Sequence, residues 1–168
     1  MLTAAARALH LEEPPPWVLD DPMALEVAGD DGVDIGDRIR TDLPRDSRLA
    51  FVRWVCVRAR FPEGVVERGL DEGVRQYVIL GAGLDTFAYR RTDLAGRLRV
   101  FEVDHPDTQR WKQSRLAELG VEPAVAVAYV PVDFERQTLR DGLEEAGFRL
   151  MGDVEQRYDF VYLTAVKA

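Results

Sequence analysis

The sequence predicts an α/β protein, a three-layer sandwich built around a mainly parallel sheet. Two observations carry this. Short apolar runs that stop at glycine alternate with segments whose apolar residues recur at helical spacing. The order strand, helix, strand, helix, strand, helix calls for right-handed crossovers between parallel strands.

The elements follow in chain order. Residues 1–75 read as a helical N-terminal segment. An amphipathic stretch is broken by Pro14-Pro15-Pro16, and Asp20-Asp21-Pro22 offers a helix cap with proline behind it, with Gly29 as the stop. Asp30 to Pro44 is polar, acidic and glycine-containing, so a mobile surface loop is expected. From Asp46 to about Phe61, Leu49, Val52, Val55, Cys56 and Ala59 share a helix face. Pro62 is expected to break this helix before another ends near Gly73.

Residues 76–148 read as strand–helix units. Gln76-Tyr77-Val78-Ile79-Leu80 stops at Gly81, as a buried parallel strand would. A second strand spans about 98–103. Pro106 opens a helix carrying Trp111 and Leu116, closed by Gly120. A third strand lies within Val125 to Val132, at about 127–132, followed by a helix from Glu135 to Ala146. Residues 149–168 form an atypical tail with one strand-like run, Tyr158 to Leu163. The whole is expected to be a single domain of 168 residues.

Composition narrows the function classes. With 22 basic and 30 acidic side chains the net charge is −8, a field that repels phosphate backbones and argues against nucleic acid. Arg90, Arg91, Arg97 and Arg99 cluster in sequence, as a basic patch or a solvated loop. No apolar run reaches the ~18 residues of a membrane helix, and Met1 to Leu11 lacks a signal-peptide core, so a cytoplasmic protein is expected. Cys56 sits on a helix face as a small core residue rather than a nucleophile. His10 and His105 are the only histidines, too few for a histidine-rich metal site; no metal is expected.

The chemistry concentrates at Gly81-Ala82-Gly83-Leu84-Asp85-Thr86. Glycines after a parallel strand allow a sharp turn and close approach of a ligand to the backbone, at the strand end where doubly wound sheets bind ligands. About twenty residues on, Phe101-Glu102-Val103-Asp104 supplies the carboxylates a ribose needs. Alternation puts Glu102 and Asp104 on one face, with Asp104 the better placed to reach the crevice. Capping the helix at Pro106 is the other role open to either.

A dinucleotide fingerprint would want a third small residue where Thr86 stands. Asp85 brings an anion to where a pyrophosphate would sit. That charge suits a ligand with an ammonium and a sulfonium, so S-adenosyl-L-methionine fits better than NAD.

The runs from Val78 to Arg90, Val100 to Pro106 and Tyr129 to Phe134 resemble motifs of the leucine carboxyl methyltransferase family. Arg58-Ala59-Arg60-Phe61 is similar to that family's arginine-containing helix end, and the resemblance covers about residues 17–148. It implies a Rossmann-like class I methyltransferase sheet with S-adenosyl-L-methionine as cofactor. By the same resemblance Gly81 contacts the cofactor through its backbone and Gly83 supports the turn. Asp104 holds the ribose, and Asp133 and Phe134 meet the adenine. Arg60 meets the carboxylate, unless it only favours its helix C-terminus. Asp85 is a shell residue with no assigned contact. The implied reaction is O-methylation of a small carboxylate or hydroxyl acceptor.

The resemblance stops after Phe148, where the sheet's second half is expected to be incomplete through truncation or internal deletion. Two consequences are expected. The chain is either a methyltransferase or a catalytically dead remnant that binds S-adenosyl-L-methionine weakly or serves as an interaction module. An open sheet edge would favour a homodimer.

Overall fold

The computed structural model describes residues 1–149, and the backbone alone at 150, 155–157, 160–162 and 165–167. The three apolar runs become β1 (Gln76–Leu80), β2 (Arg99–Asp104) and β3 (Ala126–Pro131). All pair in parallel in the order β1-β2-β3, with Leu80 opposite Val103 and Asp104 opposite Pro131. Their carboxyl ends therefore lie together.

Alternation sorts the strand residues onto two faces. Tyr77, Ile79, Val100 and Val127 pack with Ala4 of α1 (Leu2–His10) and with Val27 and Ala28 of α2 (Met23–Asp42). Val66 and Leu70 of α3 (Arg45–Asp71), Phe87 and Tyr89 of the short α4 (Phe87–Arg90) and Leu116 of α5 (Pro106–Glu118) complete that layer. Val78, Leu80, Phe101, Val103, Ala128 and Val130 face the other way. There they meet Leu139 and Leu143 of α6 (Leu139–Glu145) and Phe148 of β4 (Phe148–Leu150). Helices on both faces make the three layers.

Two helical expectations need correction. Asp30 to Pro44 is not a loop, because helix α2 continues to Asp42 past a kink at Gly29, whose φ is 63°. Its acidic residues face water while Gly32, Gly36 and Ile39 are buried, with Ile39 against α1 and α3. Nor does Pro62 break α3, which runs through it. An interior proline costs a helix about 3 kcal/mol. Burial of Val52, Val55 and Cys56 before it and of Val66 and Leu70 after it holds the two halves in one axis.

Two local readings also change, at the start of α6 and in the tail, while α5 carries Trp111 and Leu116 as expected. Helix α6 starts at Leu139 rather than Glu135, because Thr138 and Asp141 form a reciprocal capping box there. On α5 the buried face is Gln109, Lys112 and Leu116, and Trp111 is exposed. The tail carries β5 (Glu155–Arg157), β6 (Phe160–Tyr162) and β7 (Ala165–Lys167) instead of one strand. β5 pairs antiparallel with β6, and β7 antiparallel with β4. Parts of the expected run Tyr158 to Leu163 lie outside the described residues. Among the described residues no helix is long and apolar enough to cross a membrane.

Candidate functional site

Beyond β1 the chain turns back over the end of β2. The Gly81 and Ala82 amides both donate to the Val103 carbonyl, at 2.8 and 3.1 Å. This reversal needs left-handed backbone, with φ of 63° at Gly81 and 48° at Gly83. A Cβ placed at Gly81 would meet no atom within 4 Å, so the space over this residue is open.

Asp104 reaches into the same turn from the end of β2. Its Oδ2 accepts the Gly83 amide at 2.5 Å and its Oδ1 the His105 amide at 2.6 Å. The side chain thus ties the turn to its strand, with lone pairs left over for a ligand. Capping of α5 falls to His105 instead, whose Nδ1 accepts from the Asp107 amide at 3.2 Å.

Asp133 arrives beside Asp104 because the Val132 amide donates to the Asp104 carbonyl at 2.9 Å. Its Oδ1 accepts from the Glu135 amide at 3.0 Å. Its Oδ2 lies 3.3 Å from Arg136 Nε and 3.9 Å from His105 Nε2. Phe134 is exposed. Gly81, Gly83, Asp104 and Asp133 therefore share the carboxyl end of the sheet. The imidazole of His105 reaches the same corner, a contact that its place in sequence did not reveal.

Other candidates lie elsewhere. Glu102 shares the face of Asp104 but is sealed beneath the turn at 1% exposure, paired to Lys112 Nζ at 2.6 Å. Burial raises its pKa, against the pull of Lys112. A carboxylate so enclosed cannot hold a ribose, and the expectation of ligand contact at Glu102 is corrected. Asp85 spends one oxygen on the Phe87 amide at 2.7 Å, opening α4.

Arg60 pairs with Glu67 at 3.1 Å, and Glu67 takes Arg91 at 2.9 Å, linking α3 to the segment after the glycine turn. The buried Nη1 of Arg60 has no hydrogen-bond partner among the described residues. Arg90 and Arg91 form no basic patch, since both pair with Glu63.

Beneath the turn a polar network fills the first face of the sheet. Lys112 Nζ lies 5.2 Å from the Tyr89 ring centre, and the Tyr89 and Tyr129 hydroxyls are hydrogen-bonded to each other. Gln109 donates to the carbonyls of Glu102 and Val130 at 2.8 and 3.1 Å, pinning α5 to two strands. The available signal was polar residues 109 and 112 at the helical spacing of Leu116.

The family model described as leucine carboxyl methyltransferase matches residues 1–153. A Bacillus subtilis (strain 168) protein named "Putative S-adenosyl-L-methionine-dependent methyltransferase YktD" is 31% identical over 169 aligned positions, covering 89% of this chain and 56% of its own length. A Mycobacterium sp. (strain KMS) protein named "Putative S-adenosyl-L-methionine-dependent methyltransferase" is 38% identical, covering 88% of this chain and 51% of its own. One from Mycolicibacterium smegmatis is 36% identical, with 88% and 50% covered. The chain thus spans about half the length of the curated relatives it matches.

Proposed function

The chain belongs to the leucine carboxyl methyltransferase family, and on that premise we propose that it binds S-adenosyl-L-methionine where β1, β2 and β3 end and methylates an oxygen of a small carboxylate or hydroxyl acceptor. The observation that carries this reading is the open glycine turn with Asp104 beneath it and Asp133 alongside.

The residues fit the group. Gly81 leaves room for a ligand to lie on the backbone, and Asp104 has acceptor capacity beyond its two amides. Asp133 and exposed Phe134 offer an acceptor and an aromatic face at the next strand end. Arg60 holds an unused guanidinium donor, suited to a carboxylate. Asp85 keeps one carboxylate oxygen beyond its bond to the Phe87 amide, of the charge that would suit an ammonium or sulfonium.

When bound, S-adenosyl-L-methionine would supply a methyl carbon activated by its sulfonium; a carboxylate or hydroxyl oxygen of the acceptor would take that methyl, the thioether would leave neutral, and a hydroxyl's proton would pass to solvent. Such a transfer asks mainly for alignment, which the turn and its carboxylates provide on the cofactor side. A binding-only role is the second reading. In that reading the chain is a catalytically dead remnant that binds S-adenosyl-L-methionine weakly or serves as an interaction module.

Calorimetric titration with S-adenosylhomocysteine and separately with NAD tests the binding. The expected result is saturable binding of S-adenosylhomocysteine and none of NAD; the reverse preference would overturn the reading. Transfer of a labelled methyl group to a panel of small carboxylic acids and phenols separates enzyme from binder.

A further inference from the structure

Two buried cations grip the glycine turn from behind. Arg7, on α1, donates through Nη2 to the Leu84 carbonyl at 2.7 Å and through Nε to Asp21 Oδ2 at 2.7 Å. Lys112, on α5, donates through Nζ to the Asp85 carbonyl at 2.5 Å and to Glu102 Oε2 at 2.6 Å. Leu84 and Asp85 are consecutive residues. Side chains from two separate helices therefore fix two successive peptide groups.

The way each cation divides its donors is informative. An arginine and a carboxylate can join through two parallel hydrogen bonds. Arg7 instead gives Nη2 to the turn, and Asp21 Oδ1 is left buried without a hydrogen-bond partner among the described residues. Glu102 Oε1 is left in the same state beside Lys112. An unmade bond to a buried carboxylate oxygen is a stability cost, and both ion pairs bear it. The side chains are 7% and 1% exposed in the Arg7–Asp21 pair and 1% each in the Lys112–Glu102 pair, so water hardly competes for these contacts.

Charge balance is kept as well. Each cation brings its own carboxylate, so the clamp adds no net positive charge beneath a site read as holding a cationic ligand.

We propose that Arg7 and Lys112 are positioning residues for the cofactor turn, which makes helix α1 a working part of the cofactor site. The functional meaning rests on the cofactor reading above. The clamp itself is a statement about how the turn is ordered.

The test uses two double variants of the full chain, Arg7→Gln with Asp21→Asn, and Lys112→Leu with Glu102→Leu. Each removes a whole ion pair, which folded proteins tolerate better than removal of one partner. The expected result is a folded variant with amide exchange in residues 82–87 raised about tenfold and exchange in β3 unchanged. S-adenosylhomocysteine should bind about tenfold more weakly to the same preparations. A purely structural role would raise exchange across the sheet and lower the unfolding midpoint, and that outcome overturns the proposal. Unchanged exchange at 82–87 overturns it also. So does failure of both variants to fold, which would assign the cations to the fold at large. Should the unaltered chain bind no S-adenosylhomocysteine, the cofactor reading falls, while exchange at 82–87 still decides the clamp.

Discussion

The two faces of the parallel sheet are built from different chemistry. On the first, α1, α2, α3 and α5 cover Tyr77, Ile79, Val100 and Val127, and charged side chains are buried among them. On the second, Phe101, Val103, Val130 and Val132 meet Leu143 and Phe148 in an apolar layer closed by the seven residues of α6. Of the buried polar side chains among the described residues, Arg7, Asp21, Glu63, Glu102, Gln109 and Lys112 lie on the first side, and His10 of α1 and Thr86 of the glycine turn are the other two. Burying charge is expensive and is repaid only with good partners, so its concentration behind the glycine turn marks that side as the one that shapes a site. The apolar side supplies stability.

That division can be broken deliberately. The largest effect is expected from Phe101→Ala, which empties a buried position packed edge-on against Phe148 at 4.9 Å. A loss of about 3–5 kcal/mol should appear in denaturant unfolding. Ligand affinity, measured where the variant remains folded, should be unaltered; a coupled loss would show that the faces are not separate.

Next comes Gly142→Ala. An added Cβ would lie 2.7 Å from both Val132 methyl carbons, closer than packing allows. Seating α6 again should cost about 1–3 kcal/mol of stability. An unfolding midpoint equal to that of the parent would mean that α6 does not rest on Val132.

On the other side, Asp104→Ala should weaken S-adenosylhomocysteine by about 1–3 kcal/mol, by removing the acceptor at the strand end. An unchanged dissociation constant in a folded variant would confine Asp104 to holding the Gly83 amide.

The smallest effect is a pair of opposite titrations within the network on α3. Burial raises the pKa of Glu63 above 4.5, although Arg90 and Arg91 pull against it. Burial also acts on Glu67, but Arg60 and Arg91 outweigh it and its pKa falls below 4.5. The linkage signs are opposite. The Glu63 contribution to stability is full below pH 4.5 and lost as pH rises through its folded value. The Glu67 contribution is present above pH 4.5 and lost as pH falls through its own. Side-chain carbon chemical shifts followed through acid titration should separate the two, and coincident midpoints would deny the difference in burial.

Much of the sheet was legible because its signals are local. An apolar run that ends in glycine announces β1, and the spacing from Gly83 to Asp104 brings a carboxylate to the turn, where the two now meet at 2.5 Å. Asp133, the acid just past β3, was reached through the family resemblance of the run Tyr129 to Phe134. Glu102 was misread because alternation gives a residue's face but not its depth. The network of Lys112, Gln109 and Tyr89 went unread because helical spacing with Leu116 puts residues 109 and 112 on the buried face without showing which atoms they meet there.

The sequence by itself determined the strand–helix alternation, the three parallel strands and the corner where Gly81, Gly83, Asp104 and Asp133 gather. Each depends on residues within a few positions of one another, or on a spacing set by one crossover. Tertiary structure alone decided that Asp30 to Asp42 is helical, that α3 continues through Pro62, and that β4 pairs with β7. It also decided that Arg7 and Lys112 converge on adjoining carbonyls. The physical reason is common to all four. Packing and hydrogen bonds between segments far apart in the chain outweigh local preference, and their partners are settled only when the layers close.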